Sequence, residues 1–196
     1  MYPLIRLANE MRLARKAPPI GPFTPHVSTH RCWPWDLDPW LELNNGRTLT
    51  IYDLGRLPMA LRAGLIAVMR SQGWNITVAG NSTRYRRRIR VFQRVTMVTR
   101  MLGWDHRFFY VDQSLWHRGN CCNQMLLRGA VTSDAGLVAP ERLARAMGQP
   151  VRSPPLPDWV LAWIQADARR PWPPVLPEFA PGELTPDLPH PPAAGD

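Results

Sequence analysis

A cluster of carboxylates just before a predicted helix is the part of this sequence best suited to catalysis. Asp36, Asp38 and Glu42 lie close together, and Asn44 or Asn45 can act as the N-cap of the helix that follows. The unpaired N–H groups at a helix start favour negative charge. The loop can therefore place a nucleophile or base beside hydrogen-bond donors, which suits hydrolysis of an activated carbonyl group.

The order of these residues resembles the motif D-x-D-x-x-G-H-x-N-N-x-x-Y of acyl-CoA thioesterases of the 4-hydroxybenzoyl-CoA thioesterase type. The resemblance keeps both aspartates and both asparagines and covers roughly residues 26–140. Leu41 replaces the motif's glycine, Glu42 its histidine and Thr48 its aromatic residue. The resemblance implies an α+β hotdog fold, in which a long central helix is wrapped by an antiparallel β-sheet.

The resemblance also implies roles for individual residues. Asp38 corresponds to the catalytic carboxylate, acting as nucleophile or general base, and Glu42 is a second catalytic candidate. Asp36 is expected to be structural, since aspartate often stabilises a turn before a helix. The helix start would polarise the substrate carbonyl. The residues expected to bind substrate there are Asn44, Asn45, Gly46, Arg47 and Thr48.

Two functions are open for a hotdog protein with this loop. The favoured one is an acyl-CoA thioesterase, which hydrolyses a thioester to free acid and CoA. The alternative is a catalytically weak or inactive hotdog protein that binds acyl-CoA or acyl carrier protein, because three motif positions are replaced. Coenzyme A enters only as part of the substrate, and no separate cofactor is expected. A homodimer or higher homo-oligomer is expected, because the family's pockets lie between subunits and pairing would cover an exposed edge strand.

Arginine carries almost all of the positive charge. The formal net charge is +9, and Lys16 is the only lysine. Arg86, Arg87 and Arg88 are candidates for contacting the phosphates of coenzyme A. A solvated strand face and a nucleic-acid patch are the alternatives, and nucleic acid is least favoured because no nucleic-acid-binding motif accompanies the arginines.

Hydrophobic periodicity predicts the elements that position the loop. Residues 1–17 predict a basic amphipathic helix, for which covering its own domain is favoured over contact with a membrane surface or partner. A long helix is predicted from Asn45, with a kink or division near residues 55–57 because Pro58 removes a helical hydrogen bond. Strands are predicted over residues 26–33, 74–79, 86–101, 106–117 and 121–132.

The length of 196 residues favours one domain with extensions. We expect an N-terminal segment over residues 1–20, a hotdog domain over 21–148 and a proline-rich extension with one short helix over 149–196. No apolar run approaches the ~18 residues of a membrane span and no secretory leader pattern opens the chain, so a cytoplasmic location is expected. The cysteines and histidines lack metal-site spacing, so no metal is expected.

Overall fold

The computed structural model describes residues 2–174. The helices are α1 (Leu4–Lys16), α2 (Asn45–Arg62), α3 (Leu65–Gln72), α4 (Pro140–Ala146) and α5 (Asp158–Ala168). The strands are β1 (His26–Arg31), β2 (Asn75–Tyr85), β3 (Arg94–Trp104), β4 (Phe109–His117), β5 (Asn120–Ser133) and β6 (Gly136–Val138). The chain divides into two compact units, of which the first ends at Pro157 and the second contains α5. None of the described helices is both long and apolar enough to cross a membrane.

All six strands form one antiparallel sheet around α2. The strand order is β1-β3-β4-β5-β2, and β6 also pairs with β5. The core lies between α2 and the sheet, where Tyr52 and Leu54 of the helix pack with Met97, Leu115 and other buried strand residues. The predicted α+β hotdog fold, with a central helix and an antiparallel sheet, is confirmed.

The central helix is continuous, which corrects the predicted break. α2 runs unbroken through Gly55 and Pro58 to Arg62, and the division falls at Gly64, whose φ of +78° separates α2 from α3. Pro58 is tolerated in the helix interior because it lies on the buried face, where packing against the sheet holds the backbone helical.

Gly55 allows α2 to approach the sheet closely. A Cβ atom at this position would overlap the Met97 sulfur and lie 2.6 Å from Thr99 Oγ1. The Thr99 hydroxyl is itself fixed, because it accepts a hydrogen bond from the buried Gln113 side chain at 2.9 Å. Gly55 is therefore a packing residue and not a helix breaker.

Replacing Gly55 by alanine should lower the free energy of unfolding by about 1–3 kcal/mol, measured by urea denaturation. The added methyl group forces Thr99 or Met97 to move, and this cost exceeds the gain of about 1 kcal/mol that alanine brings to a helix. The penalty should shrink when Thr99→Ala is introduced as well, because that change removes one of the obstructing atoms. A Gly55→Ala protein that is more stable than wild type would contradict this account.

The arginine-rich segment is a connection and not a strand, which corrects the strand predicted over residues 86–101. β2 extends to Tyr85 and β3 begins at Arg94, so residues 86–93 join the two. The alternation of apolar and basic residues predicted a strand here. Ile89 is buried like a strand residue, at 2% exposed, although it lies in a loop. The eight connecting residues place the arginines at one end of the sheet.

The N-terminal helix α1 packs against α2, and β1 contains two buried histidines. His30 lies 3.9 Å from Glu10 of α1, and His26 Nδ1 lies 3.0 Å from the Arg62 guanidinium of α2. Burial, reinforced by the positive charge of Arg6, lowers the pKa of His30 to about 4. Burial and Arg62 also lower the pKa of His26. Burial beside Arg6 of α1 and Arg62 of α2 therefore favours the neutral form of both histidines.

This arrangement predicts a loss of stability in mild acid. The folded protein binds fewer protons at these histidines than the unfolded chain does, so their contribution is complete above pH 6.5 and lost as the pH falls toward 4. Glu10 opposes this, because burial raises its pKa and its protonation favours the folded form. The free energy of unfolding should fall by roughly 2 kcal/mol from pH 6.5 to 5 and by clearly less in His30→Gln. Equal pH dependence of both proteins would contradict the assignment to His30.

Candidate active site

One asparagine fixes the start of α2. Asn44 Oδ1 accepts the Arg47 N–H at 3.0 Å, and the Thr48 N–H and hydroxyl both donate to the Asn44 carbonyl oxygen. Asn44 is thus the N-cap, and the N–H groups of Asn45 and Gly46 have no partner within the helix. Thr48 is only 1% exposed, so its hydroxyl stabilises the helix start from the interior.

Asp36 joins α1, the loop and α2 from a fully buried position. Its Oδ2 accepts the Arg6 guanidinium at 2.7 Å and the Trp33 N–H at 3.0 Å, and its Oδ1 accepts Arg47 Nε at 2.7 Å. Arg6 also donates to the Arg31 carbonyl oxygen. Both carboxylate oxygens are engaged and the side chain has no exposed surface, so the geometry gives Asp36 a structural role. Arg47, predicted to bind substrate, is held by this ion pair.

One carboxylate oxygen of Asp38 is held by backbone N–H groups, and the other is accessible. Its Oδ1 accepts the N–H groups of Trp40 at 2.9 Å and of Glu42 at 3.3 Å. Its own N–H donates to the Glu42 carbonyl oxygen at 2.8 Å. Within residues 2–174, Oδ2 has no hydrogen-bond or ion-pair partner. The partly exposed carboxylate is therefore oriented by its backbone contacts and remains accessible on one side.

The tight loop after Asp38 needs a left-handed residue at the position where the motif has glycine. Leu41 occupies it with a φ of +59° and is 70% exposed. A non-glycine residue in this conformation costs roughly 1–2 kcal/mol. Leucine therefore occupies at this cost a conformation that glycine would adopt without strain.

Glu42, at the motif's histidine position, is paired with an arginine of the β2–β3 connection. Its Oε2 lies 2.9 Å from Arg88 Nε, and its backbone pairs with Arg90. The Arg88 side chain is 70% exposed, so this ion pair adds at most about 1 kcal/mol to stability. The contact nevertheless brings a predicted catalytic residue next to a predicted CoA-binding residue.

The start of α2 lies between two concavities of opposite character. On one side is a small cavity of about 160 Å³, whose lining includes Glu42, Asn45, Arg86, Arg87 and Arg88. On the other side is an open groove of about 1150 Å³. Its lining is mainly apolar and comprises Tyr2, Pro3, Leu4, Ile5, Arg6, Trp33, Trp35, Leu37, Asn44, Gly46, Arg47 and Thr50. We call the first the arginine cavity and the second the apolar groove.

Two features of the site were missed by sequence analysis. Tyr85, at the end of β2, lines the arginine cavity and donates its hydroxyl to the Asn45 carbonyl oxygen at 3.3 Å. Trp33 and Trp35 stack at 5.4 Å and form part of the groove wall, together with the first residues of α1. The contact of Tyr85 with Asn45 and the position of α1 beside the tryptophans both join residues far apart in the chain, so neither has a local sequence signature.

Comparison with known proteins places the chain in a family. The model of the Thioesterase-like superfamily matches residues 32–164. Protein THEM6 of Xenopus laevis is 32% identical over 135 residues, which are 67% of this chain and 63% of that protein. The chain therefore spans less than two thirds of that relative's length.

Solved structures show the same fold at low identity. The probable thioesterase YbaW of Escherichia coli has a TM-score of 0.60 and 16% identity, covering 65% of this chain and 99% of that one. The DHNA-CoA thioesterase of Staphylococcus aureus has a TM-score of 0.55 and 15% identity, covering 74% and 91% of the two chains.

The chain belongs to the Thioesterase-like superfamily, since that family's model matches more than half of it. The thioesterase-like class predicted from the motif is thereby confirmed at the level of the superfamily. The narrower 4-hydroxybenzoyl-CoA type and the roles of individual residues remain predictions.

Proposed function

We propose that this protein is an acyl-CoA thioesterase whose reaction takes place at the start of α2. One observation carries the proposal: the start of α2, next to the oriented Asp38 loop, separates the arginine cavity from the apolar groove. An acyl-CoA has the matching composition, with phosphates at one end, an apolar acyl group at the other and the thioester between them. The superfamily and the names of its structural neighbours support the same reaction class.

In the proposed reaction, the thioester carbonyl lies at the first turn of α2. The N–H groups of Asn45 and Gly46 receive the developing oxyanion, a contribution of about 2.7–4 kcal/mol for a well-aligned donor. Asp38 then acts in one of two ways. As a general base it takes a proton from the attacking water, and that proton leaves with the CoA thiolate; as a nucleophile it forms an anhydride that water cleaves. Both routes consume one water and release a free acid and CoA thiol.

The two concavities bind the two ends of the substrate in this proposal. Arg86, Arg87 and Arg88 face the phosphates, for which guanidinium groups are well suited. The apolar groove takes the acyl group, and its volume of about 1150 Å³ exceeds the roughly 300–1,000 Å³ of ordinary small-molecule pockets. The proposal therefore favours bulky or long acyl groups.

The exposed edge of β2 supports a homodimer. In the described part of the chain, β2 has a strand neighbour on one side only, and Ile76 and Val78 are about half exposed. Such an edge favours pairing with another strand, and pairing with a second copy around a two-fold axis would cover both edges. The second copy would then also lie beside Tyr85 and the arginine cavity.

The alternative, a hotdog protein that binds acyl-CoA or acyl carrier protein without hydrolysing it, is favoured by one observation. Glu42, at the position of the motif's histidine, is paired with the Arg88 guanidinium. Such a pair is less suited to proton transfer than a histidine.

The two functions are separated by measuring thioester hydrolysis over a series of acyl-CoA chain lengths, with Asp38→Ala as the control. Turnover that depends on Asp38 supports the thioesterase. Saturable acyl-CoA binding without turnover, or a trace activity equal in both proteins, would establish the binding protein instead. Light scattering of the same sample tests the dimer, which a strict monomer at micromolar concentration would contradict.

A further inference from the structure

A second concavity adjoins the arginine cavity at the end of the sheet. It has a volume of about 450 Å³ and lies between the β2–β3 connection and the β4–β5 turn. Its cationic lining consists of Arg87, Arg88, Arg90 and Arg118, with His117 beside them. We call this concavity the arginine basin. We propose that it binds the multiply phosphorylated nucleotide end of the CoA thioester, extending the phosphate site beyond Arg86–Arg88.

The charge of the basin is not balanced within the described part of the chain. Of its four arginines only Arg88 has a carboxylate within 4.0 Å, and that partner, Glu42, lies on the side of the arginine cavity. No aspartate or glutamate lines the basin itself. Several guanidinium groups around one concavity repel one another unless an anion lies between them, and phosphate oxygens are their best-matched partners.

The backbone holds these arginines in place without using their side chains. Ile89 is buried and its carbonyl oxygen accepts the Leu43 N–H at 2.8 Å, which anchors the centre of the connection. The N–H groups of Arg86 and Arg87 both donate to the Cys122 carbonyl oxygen, at 2.8 and 3.0 Å. The connection is therefore tied to the body on both sides of its arginines, and a bound anion need not order a free loop.

Arg90 is held in the same way. Its N–H donates to Gln93 Oε1 at 2.8 Å, and the Gln93 N–H donates to the Arg90 carbonyl oxygen at 3.2 Å. The turn formed by these two residues leaves the Arg90 guanidinium without a carboxylate partner among residues 2–174.

Arg118 occupies a backbone position that disfavours arginine. It has a φ of +49° and precedes Gly119 with a φ of +76°, so both central residues of the β4–β5 turn are left-handed. Such turns strongly favour asparagine or aspartate followed by glycine. Arginine costs roughly 1–2 kcal/mol in this conformation, and the turn itself does not require its side chain. What arginine adds here is a positive charge at the rim of the basin.

His117 offers its outer nitrogen to the basin. Its Nδ1 donates to the Arg94 carbonyl oxygen at 2.7 Å, which assigns the proton of the neutral ring to Nδ1 and leaves Nε2 free for a ligand. The free Nε2 gives the basin a hydrogen-bonding group beside its guanidinium groups.

The basin is continuous with the proposed reaction centre. Arg87 and Arg88 line both the basin and the arginine cavity, and the cavity reaches Asn45 at the start of α2. An extended molecule can therefore have its thioester at α2 and its diphosphate and ribose phosphate at the arginines. The identity of the ligand as CoA rests on the proposed function, whereas the chemical class, a small anion with several phosphates, rests on the basin alone.

The test compares binding of CoA, dephospho-CoA and pantetheine to the wild type and to Arg118→Gly and Arg90→Gln by calorimetry. Arg118→Gly is a sharp probe, because glycine suits the positive φ and the variant should be at least as stable as the wild type. Each variant should weaken CoA binding about 10-fold or more and leave pantetheine binding unchanged. Dephospho-CoA should bind wild type more weakly than CoA does. Arg107→Gln, in the turn at the opposite end of β4, is the matched control and should bind CoA as wild type does.

The outcomes separate this proposal from the proposed function. Loss of CoA affinity in the basin variants supports the basin, even if the wild type hydrolyses no thioester. Wild-type affinity in both variants overturns the basin, even if hydrolysis is observed. Binding of an acidic acyl carrier protein, with no arginine-dependent binding of CoA, also overturns it.

Discussion

The Asp38→Asn variant should hydrolyse acyl-CoA at least ~10²-fold more slowly than the wild type, with little change in KM. Asparagine keeps an oxygen that can accept the N–H groups of Trp40 and Glu42, so the loop should retain its shape. The change removes the negative charge from the accessible side of the group. That charge is what attacks the thioester or activates water in the proposed mechanism.

The same substitution two residues earlier is the matched control. Asp36→Asn should retain most of its kcat per folded molecule, because both Asp36 oxygens are bound by arginines and the side chain has no exposed surface. Steady-state kinetics should be measured at a temperature where both variants are folded. Equal activity of wild type and Asp38→Asn over all thioesters would remove Asp38 from the mechanism and favour the binding protein.

Much of the scaffold could be predicted because its determinants are local. The N-cap at Asn44, the central helix and the strand from Arg94 onward each follow from residues adjacent in the sequence. The errors occurred where tertiary contacts override local pattern. Ile89 has the burial of a strand residue because it anchors a loop, and Pro58 does not break α2 because it lies on the buried face of the helix.

The site was less predictable than the fold, because it depends more on tertiary contacts than on local sequence. The sequence predicted a structural role for Asp36 and a catalytic role for Asp38, but it did not identify Arg6 and Arg47, the two residues that bind the buried Asp36, the first of which lies in α1. The arginine basin likewise joins the β2–β3 connection to Arg118, in a turn between later strands. No spacing rule connects residues so far apart in sequence without knowledge of the strand order.

The second large effect is expected at Asp36. Asp36→Asn should lower the free energy of unfolding by about 2–4 kcal/mol, measured by urea denaturation, because it removes the buried negative charge that both guanidinium groups bind. The Arg6 and Arg47 side chains are only 19% and 14% exposed, so water compensates poorly for the lost carboxylate. The damage should separate α1 from the start of α2, since Asp36 is the residue that both arginines bind.

Two controls distinguish this ion-pair cluster from a general effect of the substitution. Asp134→Asn makes the same chemical change in an exposed turn and should alter stability by less than about 0.5 kcal/mol. In an Arg6→Gln/Arg47→Gln background, Asp36→Asn should lower the free energy of unfolding much less than in the wild type. The two positive charges that the carboxylate balances are absent from that background. If Asp36→Asn were as stable as Asp134→Asn, the buried carboxylate would not be what ties α1 and the catalytic loop to α2.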